Sequence, residues 1–402
     1  MKQKKKISIT TLIFIGLVLG VILGLVAPGR ADFLLDITDL FGTVYMNALR
    51  MMIYPMVYCS IVAGICSAGS ISATGKISGR AIGYFVFTTA AASLIGLVIP
   101  RFISLGKGVS FEMVNSDIAA TEFTSILDTV KNLIPSNPVA SFAEGNMLQV
   151  LIFAMITGFA AIAIGEKAKP FLDFINSFNE ICLKVITVVM HFTPFGVFCT
   201  IAPVIAANGI GTILSLAQAL IALYIAFYVF AFIVYGGTAK IYGKMSPFKF
   251  FGAIMPAALN AFGTCSSSAT IPLSKQCAEE NLDIDPSVSS IVLPMGATIN
   301  MDAVSILMSF MITFFANACG IEISIGLMVV ILLSNCLLSI GTPGVPGGAI
   351  ASFAALAAIA GLPAGVMGVY ISINTLCDMG ATCVNVLGDL AATVYVQKSV
   401  EK

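Results

Sequence analysis

The chain has 402 residues, 58% of them hydrophobic and only 10% charged, with a mean hydropathy of +1.01 and no net formal charge. Such a composition excludes an ordinary soluble domain, and the zero balance gives no nucleic-acid partner a basic surface to hold. Apolar runs of bilayer-crossing length recur from end to end, so the expected class is an all-α polytopic protein in a lipid bilayer.

The first run, residues 7–27, is interrupted only by small and hydroxyl side chains and is followed by no small-residue cleavage pattern. It is therefore expected to be a retained first helix, not a signal peptide. Further spans are expected near 8–28, 38–68, 80–104, 120–165, 171–207 and 211–243, with Pro135 and Pro138 breaking the fourth. The more polar, acid-containing stretch 105–125 reads as an exposed loop. Basic residues collect on alternate connections: Lys2, Lys4, Lys5 and Lys6; Lys76 and Arg80; Lys167 and Lys169; Lys240, Lys244 and Lys249; Lys398 and Lys402. The other side has chiefly Arg30, Arg101 and Lys107, so the positive-inside rule places both termini in the cytoplasm. The ten cysteines form no CxxC pair and no metal spacing, and a disulfide framework is not expected. His191, the one histidine, reads as a packed helix residue; a proton relay is the alternative.

After Gly243 the pattern changes. Residues 250–279 are apolar but interrupted by Gly263-Thr264-Cys265-Ser266-Ser267-Ser268. Residues 324–362 are apolar but interrupted by Gly341-Thr342-Pro343-Gly344-Val345-Pro346-Gly347-Gly348, which no continuous helix accommodates. Irregular backbone at membrane depth survives only where protein or a water-filled cavity lines it, so both segments read as helical hairpins that enter the membrane and turn back. Ser266 precedes Asn300 by 34 residues, and Gly344 precedes Asp378 by 34. This repeated order of tip, then polar residues inside the next apolar helix, points to a transporter binding site.

From Gln276 to Gln397 there is no Lys, Arg or His, yet Asp302, Asp378 and Asp389 lie within apolar segments. Buried carboxylates without basic partners require positive charge from outside the chain: a metal cation, a proton or a cationic group on a substrate. Asp378, Thr382, Asn385 and Asp389 share one stripe of the last helix, and Gly380 and Gly388 are expected to admit other backbone beside it. Asp378 and Asp389 are about 16 Å apart along that axis, enough to serve two sites. Asn300 and Asp302 can converge only if the helix between them is unwound, which also exposes carbonyl oxygens. Carboxylate, amide and carbonyl oxygens suit Na⁺ and similar cations, whereas zinc and copper favour Cys and His. Half-helix N-termini and the Ser266–Ser268 hydroxyls suit an anionic group such as a substrate carboxylate.

With these residues the chain resembles the dicarboxylate/amino acid:cation symporter family, the glutamate transporter homologues, over essentially its full length. The resemblance rests on the serine-rich first tip, Asn300-Met301-Asp302, the Gly-Val-Pro-Gly second tip, Asp378-Met379-Gly380 with Asn385 and Asp389, and upstream Asn137-Pro138. It implies eight transmembrane helices plus two re-entrant hairpins, inverted repeats, and a homotrimer working by an elevator motion. The static scaffold would be 1–74 and 110–209, and the transport domain 75–109 and 210–402. It implies that Asp378 binds a substrate ammonium, and that Ser266, Ser267, Ser268, Val304, Val345, Gly347, Ala381, Thr382 and Asn385 line the substrate. It implies one sodium site at Asn385 and Asp389 with carbonyls near Gly296 and Asn300, and a second at Thr298 and Met301 with the carbonyls of Ser339, Ile340 and Thr342. A third would use Thr88, Thr89, Asn300 and Asp302, and the second hairpin would gate the site from outside. Acidic-substrate members carry an arginine where this chain has Ala381, a threonine where it has Val304, and in some cases an arginine where it has Cys265. The expectation is sodium-coupled uptake of a neutral amino acid such as alanine, serine or threonine. The alternatives are a larger neutral substrate such as cystine or methionine, and proton coupling. A channel would lack gradient-driven accumulation, and a hydrolase would need a base beside the serines; neither an enzyme nor a channel is expected.

Overall fold

The computed structural model describes residues 9–72, 76–107, 134–144, 146–209, 211–340, 342, 344, 346–363 and 365–400. Among these residues there is no strand, and most of them are helical. The N-terminal part comprises α1 (Ile9–Val26), α2 (Asp32–Arg50), α3 (Ile53–Ser72) and α4 (Lys76–Phe102). The span expected at 38–68 is two helices. Pro55 has no N–H to give the Met51 carbonyl, and the chain turns at Met51–Met52. Most of the expected 105–125 loop and the lysines before residue 9 lie outside the described residues.

The chain resumes with α5 (Pro138–Ala143), α6 (Met147–Ile164), α7 (Lys169–His191) and α8 (Thr193–Asn208). Pro138 opens a helix here as well as interrupting a span: it sits in the first turn, and the Asn137 side chain accepts from the Val139 and Ala140 N–H groups. The expected 171–207 span breaks at Phe192, because Pro194 cannot donate to Met190. That break leaves His191 exposed at a helix end, its Nδ1 2.7 Å from the Thr187 carbonyl, so it is not the packed residue expected from its apolar setting.

α9 (Gly211–Phe230) continues through a π-helical turn, Ala231–Tyr235, into α10 (Gly236–Ile241). Then come α11 (Pro247–Thr264) and α12 (Ser267–Gln276), reversed across Cys265 in the left-handed conformation. Next come α13 (Pro286–Ile299) and α14 (Asp302–Ala318), then α15 (Ile325–Ile340) and α16 (Ala349–Ile359), and finally α17 (Val366–Val400).

Among the described residues, five helical stretches are long and apolar enough to cross a membrane: Lys76–Phe102, Gln149–Val189, Ile213–Ile241, Pro286–Ala318 and Val366–Val400. The protein is thus a multi-pass membrane protein. α1, α9 and the π-helical turn after α9 present Ile15, Leu19, Ile22, Ile221, Ile225 and Ile233 outward, as a lipid-facing surface requires. Every residue of α14 except Asn317 is buried, and α17 is buried along most of its length. These two helices form the interior.

Close helix approach depends on missing side chains. α1 lies on α8 along Gly16, Gly20 and Gly24; a Cβ at Gly20 would stand 2.9 Å from the Phe198 carbonyl, and one at Gly24 2.5 Å from that of Ala202. Likewise α4 lies on α14 at Gly96, where a Cβ would be 2.5 Å from the Ile306 carbonyl oxygen. This contact sets Thr89 opposite Asp302. One turn further, the Asn335 amide nitrogen donates to Ser93 Oγ (2.9 Å) and to the Ser305 carbonyl (2.8 Å), tying α4, α14 and α15 together.

Candidate functional site

The site is built around a break in a buried helix. Between α13 and α14, Asn300 (φ −88°, ψ 84°) and Met301 (φ −113°, ψ 47°) leave the helical conformation, as convergence of Asn300 and Asp302 requires. The last carbonyls of α13 lose their i+4 amides, and the first amides of α14 lose their acceptors. One of those amides, Ala303 N–H, is taken by Asn385 Oδ1 at 2.8 Å. The Asn385 amide nitrogen turns to the Met301 sulfur at 3.3 Å. Asp302 occupies the first turn of α14, where the helix dipole favours an acid.

Two hydroxyls hold the Asp302 carboxylate: Thr89 Oγ1 donates to Oδ1 at 2.7 Å and Tyr235 Oη to Oδ2 at 2.8 Å. Tyr235 closes the π-helical turn after α9. Such turns re-aim side chains and recur at functional sites. Sequence reading missed Tyr235, because an apolar run gives no sign of a π turn. Thr88 is buried beside Thr89; its hydroxyl donates back to the Tyr84 and Phe85 carbonyls and also lies within reach of the Asp302 carboxylate.

Asp389 accepts from the Asn300 amide nitrogen at 2.9 Å, while Asn300 Oδ1 is buried without a protein partner. A Cβ on Gly296 would collide with the Asp389 carboxylate. A Cβ on Gly388 would lie 2.7 Å from Tyr235 Oη and 2.8 Å from the Asn300 nitrogen. Gly388 therefore lets the Asp302 and Asp389 clusters meet. The groups admitted there, and by Gly380 (Tyr224), are side chains; the sequence expectation of approaching backbone is corrected on this point.

The two tips meet over this break. Ser266 caps α12 by accepting from Ala269 N–H (3.2 Å), and its hydroxyl donates to the Gly344 carbonyl at 2.9 Å. Ser268 N–H reaches the same carbonyl at 3.3 Å. Gly344 must be glycine, because a Cβ would stand 2.6 Å from the Ala297 carbonyl and 3.1 Å from Ser268 Oγ. Gly347, with a left-handed φ of 78°, donates its N–H to Asp378 Oδ2 at 3.0 Å, and Thr382 Oγ1 lies 3.5 Å from Oδ1. Val304 and Ala381 are buried; Ser267 is buried and Ser268 exposed. Val345, with Gly341 and Pro343, lies outside the described residues.

The hydroxyls of Thr298, Ser339 and Thr342 are engaged with nearby groups: Met295 O, Cys336 O, and Leu338 O with Ser352 Oγ. Of that second expected cation set, Met301 joins the core through Asn385, and the Ile340 carbonyl is turned toward Gly64 of α3. The structure thus gathers Thr89, Gly296, Asn300, Asp302, Asn385 and Asp389 side by side.

The partners of the three buried carboxylates are hydroxyls, an amide and a backbone N–H, all neutral. The ion pair Lys275–Glu279 lies at the surface. Among the described residues no basic side chain hydrogen-bonds these carboxylates, and such an oxygen-rich, acid-rich site at a helix break suits hard monovalent cations and an ammonium group.

Residues 9–399 match the Sodium:dicarboxylate symporter family. The chain belongs to that family. It is 30% identical to the "Proton/sodium-glutamate symport protein" of Geobacillus stearothermophilus, over 98% of this chain and 95% of that one. It is 32% identical to the "C4-dicarboxylate transport protein" of Pseudomonas syringae pv. syringae, over 96% and 87%. It is 30% identical to the protein of that description from Bacillus subtilis, over 98% and 93%. Membership of the symporter family makes the protein a membrane transporter.

Proposed function

We propose that this symporter carries a neutral amino acid into the cell together with sodium. The observation that carries the reading is the set of three buried carboxylates whose partners are all neutral. Asp302 and Asp389 would ligate sodium, with Thr89, Gly296, Asn300 and Asn385. Asp378 would take the substrate ammonium; Thr382, Asn385 and the serine tip would take its α-carboxylate. Thr298, Met301, Ser339, Ile340 and Thr342 would supply a further cation site, mostly through carbonyls.

The architecture that goes with this reading is eight transmembrane helices and two re-entrant hairpins, α11–α12 and α15–α16, in inverted repeats. Segments 1–74 and 110–209 would form a scaffold, and 75–109 with 210–402 an elevator-type transport domain, assembled as a homotrimer in the cytoplasmic membrane with both termini inside. The equal 34-residue spacings and the Ser266–Gly344 contact between tips support it.

A second reading, an acidic substrate, is favoured by the names of the relatives. It needs a cationic group for the second carboxylate, and the flank of the site holds the apolar Ala381 and Val304 instead. Uptake of labelled serine, alanine, glutamate and succinate into proteoliposomes decides between them. The expected result is sodium-driven accumulation of serine or alanine. Preference for glutamate or succinate would overturn the substrate assignment, and uptake indifferent to the sodium gradient would overturn the coupling.

A further inference from the structure

Two polar atoms on α17 are buried with no protein partner: Asn374 Oδ1 and Tyr370 Oη. Both residues are almost wholly enclosed, at 2% and 0% exposure. Unpaired polar atoms are rare in an apolar interior and call for a partner from elsewhere. On a helix of about 100° per residue, Asn374 lies roughly 40° from Asp378, Ala381 roughly 60° and Tyr370 roughly 80°, all to the same side. Asn374 is one turn, about 6 Å, before Asp378 along the axis. The start of α16 covers this flank. Gly347 N–H rests on Asp378, and the Phe353 ring stacks on Tyr370 with centroids 3.8 Å apart. Asn374 lies midway along α17 between Tyr370 and Asp378, the two residues those contacts reach.

We propose that Asn374, backed by Tyr370, is a specificity-determining group that accepts a hydrogen bond from a hydroxyl on the substrate side chain, so that the carried class is a β-hydroxy amino acid. The proposal rests on the neutral amino acid reading. With the ammonium on Asp378 and the α-carboxylate toward Thr382 and the serine tip, the substrate side chain is directed to the other side of Asp378, where Ala381 and Asn374 stand. At one helical turn, Asp378 and Asn374 are close enough for one small amino acid to reach both, through its ammonium and a β-substituent. An amide oxygen needs a donor: a hydroxyl supplies one, a methyl group leaves it unpaired, and an ionised carboxylate offers only acceptors. Tyr370 can then donate to the hydroxyl's lone pair. Turned over, the Asn374 amide would present N–H groups and favour a side-chain carboxylate, which the competition arms below distinguish.

The test uses the full-length protein in proteoliposomes, measuring kcat/KM for serine and alanine, with threonine and aspartate as competitors. Wild type is expected to prefer serine to alanine, and threonine to compete better than aspartate. In Asn374→Leu the serine-to-alanine ratio should fall by about tenfold or more, the worth of one buried hydrogen bond; Tyr370→Phe should lower it less. A wild type that takes alanine as well as serine, or a folded Asn374→Leu with an unchanged ratio, overturns the proposal. So does aspartate outcompeting threonine. If Asn374→Leu fails to fold, the wild-type preference and the Tyr370→Phe ratio still decide. Wild type that accumulates no neutral amino acid at all refutes the underlying functional reading, a result separate from an altered ratio.

Discussion

Replacing Asn300 by Ala isolates the link between the helix break and cation binding. Asn300 is fully buried, its amide nitrogen holds Asp389 at 2.9 Å, and its oxygen has no protein partner. The substitution removes a donor to an ionised group, worth about 1.5–3 kcal/mol, and deletes one candidate cation ligand. Carried wholly into sodium affinity, that loss is roughly tenfold to 150-fold. Two assays read it. The sodium concentration for half-maximal uptake should rise by about tenfold or more. Thermal stabilisation by sodium should shrink as well: at a concentration of about 100 times the wild-type Kd, a tenfold weaker site loses about 1.3 kcal/mol of ligand-linked stability. A folded variant whose sodium dependence stays within about twofold of wild type in both assays would refute the assignment of Asn300 and Asp389 to a cation.

Gly344→Ala places a methyl 2.6 Å from the Ala297 carbonyl, so the tips should part at a cost of about 1–3 kcal/mol, with initial uptake falling by about tenfold at normal protein yield. Ala381→Arg sets a guanidinium one turn from Asp378 on the flank that lacks charge; aspartate should become a competitor of serine uptake, and a folded variant that still ignores aspartate contradicts the selectivity argument. Gly20→Val drives a side chain into the Phe198 carbonyl and should lower the thermal unfolding midpoint of detergent-solubilised protein through about 1–3 kcal/mol of overpacking; an unchanged midpoint would show that α1 and α8 can separate without loss.

The sequence marked the chemistry better than the helix ends. Asn300-Met301-Asp302 could serve one site only if unwound, and the backbone there is unwound. The Gly-Pro content of the second tip ruled out a continuous helix, and α15 and α16 are separate. Less was legible where one residue acts on a partner distant in sequence. Pro55 and Pro194 sit inside apolar runs, and hydropathy does not register the carbonyl each leaves without a donor. Tyr235 reads as one more aromatic in a lipid-facing span until the π turn swings it onto Asp302. Gly380 and Gly388 were legible as places of close approach, but only the packing identifies tyrosine rings as what approaches.

The contact between the tips has a thermodynamic consequence. A single carbonyl, that of Gly344, accepts both the Ser266 hydroxyl and the Ser268 N–H. Two neutral hydrogen bonds contribute about 0.5–1.5 kcal/mol each, so the pair biases joined over parted tips by only about fivefold to 150-fold. A minority of molecules in the range of about 1–15% would have the seam parted at any moment. A solute that binds the parted form more tightly by a comparable factor would invert those populations without breaking any element of the surrounding helices. An occupant of the cleft can therefore change which form predominates.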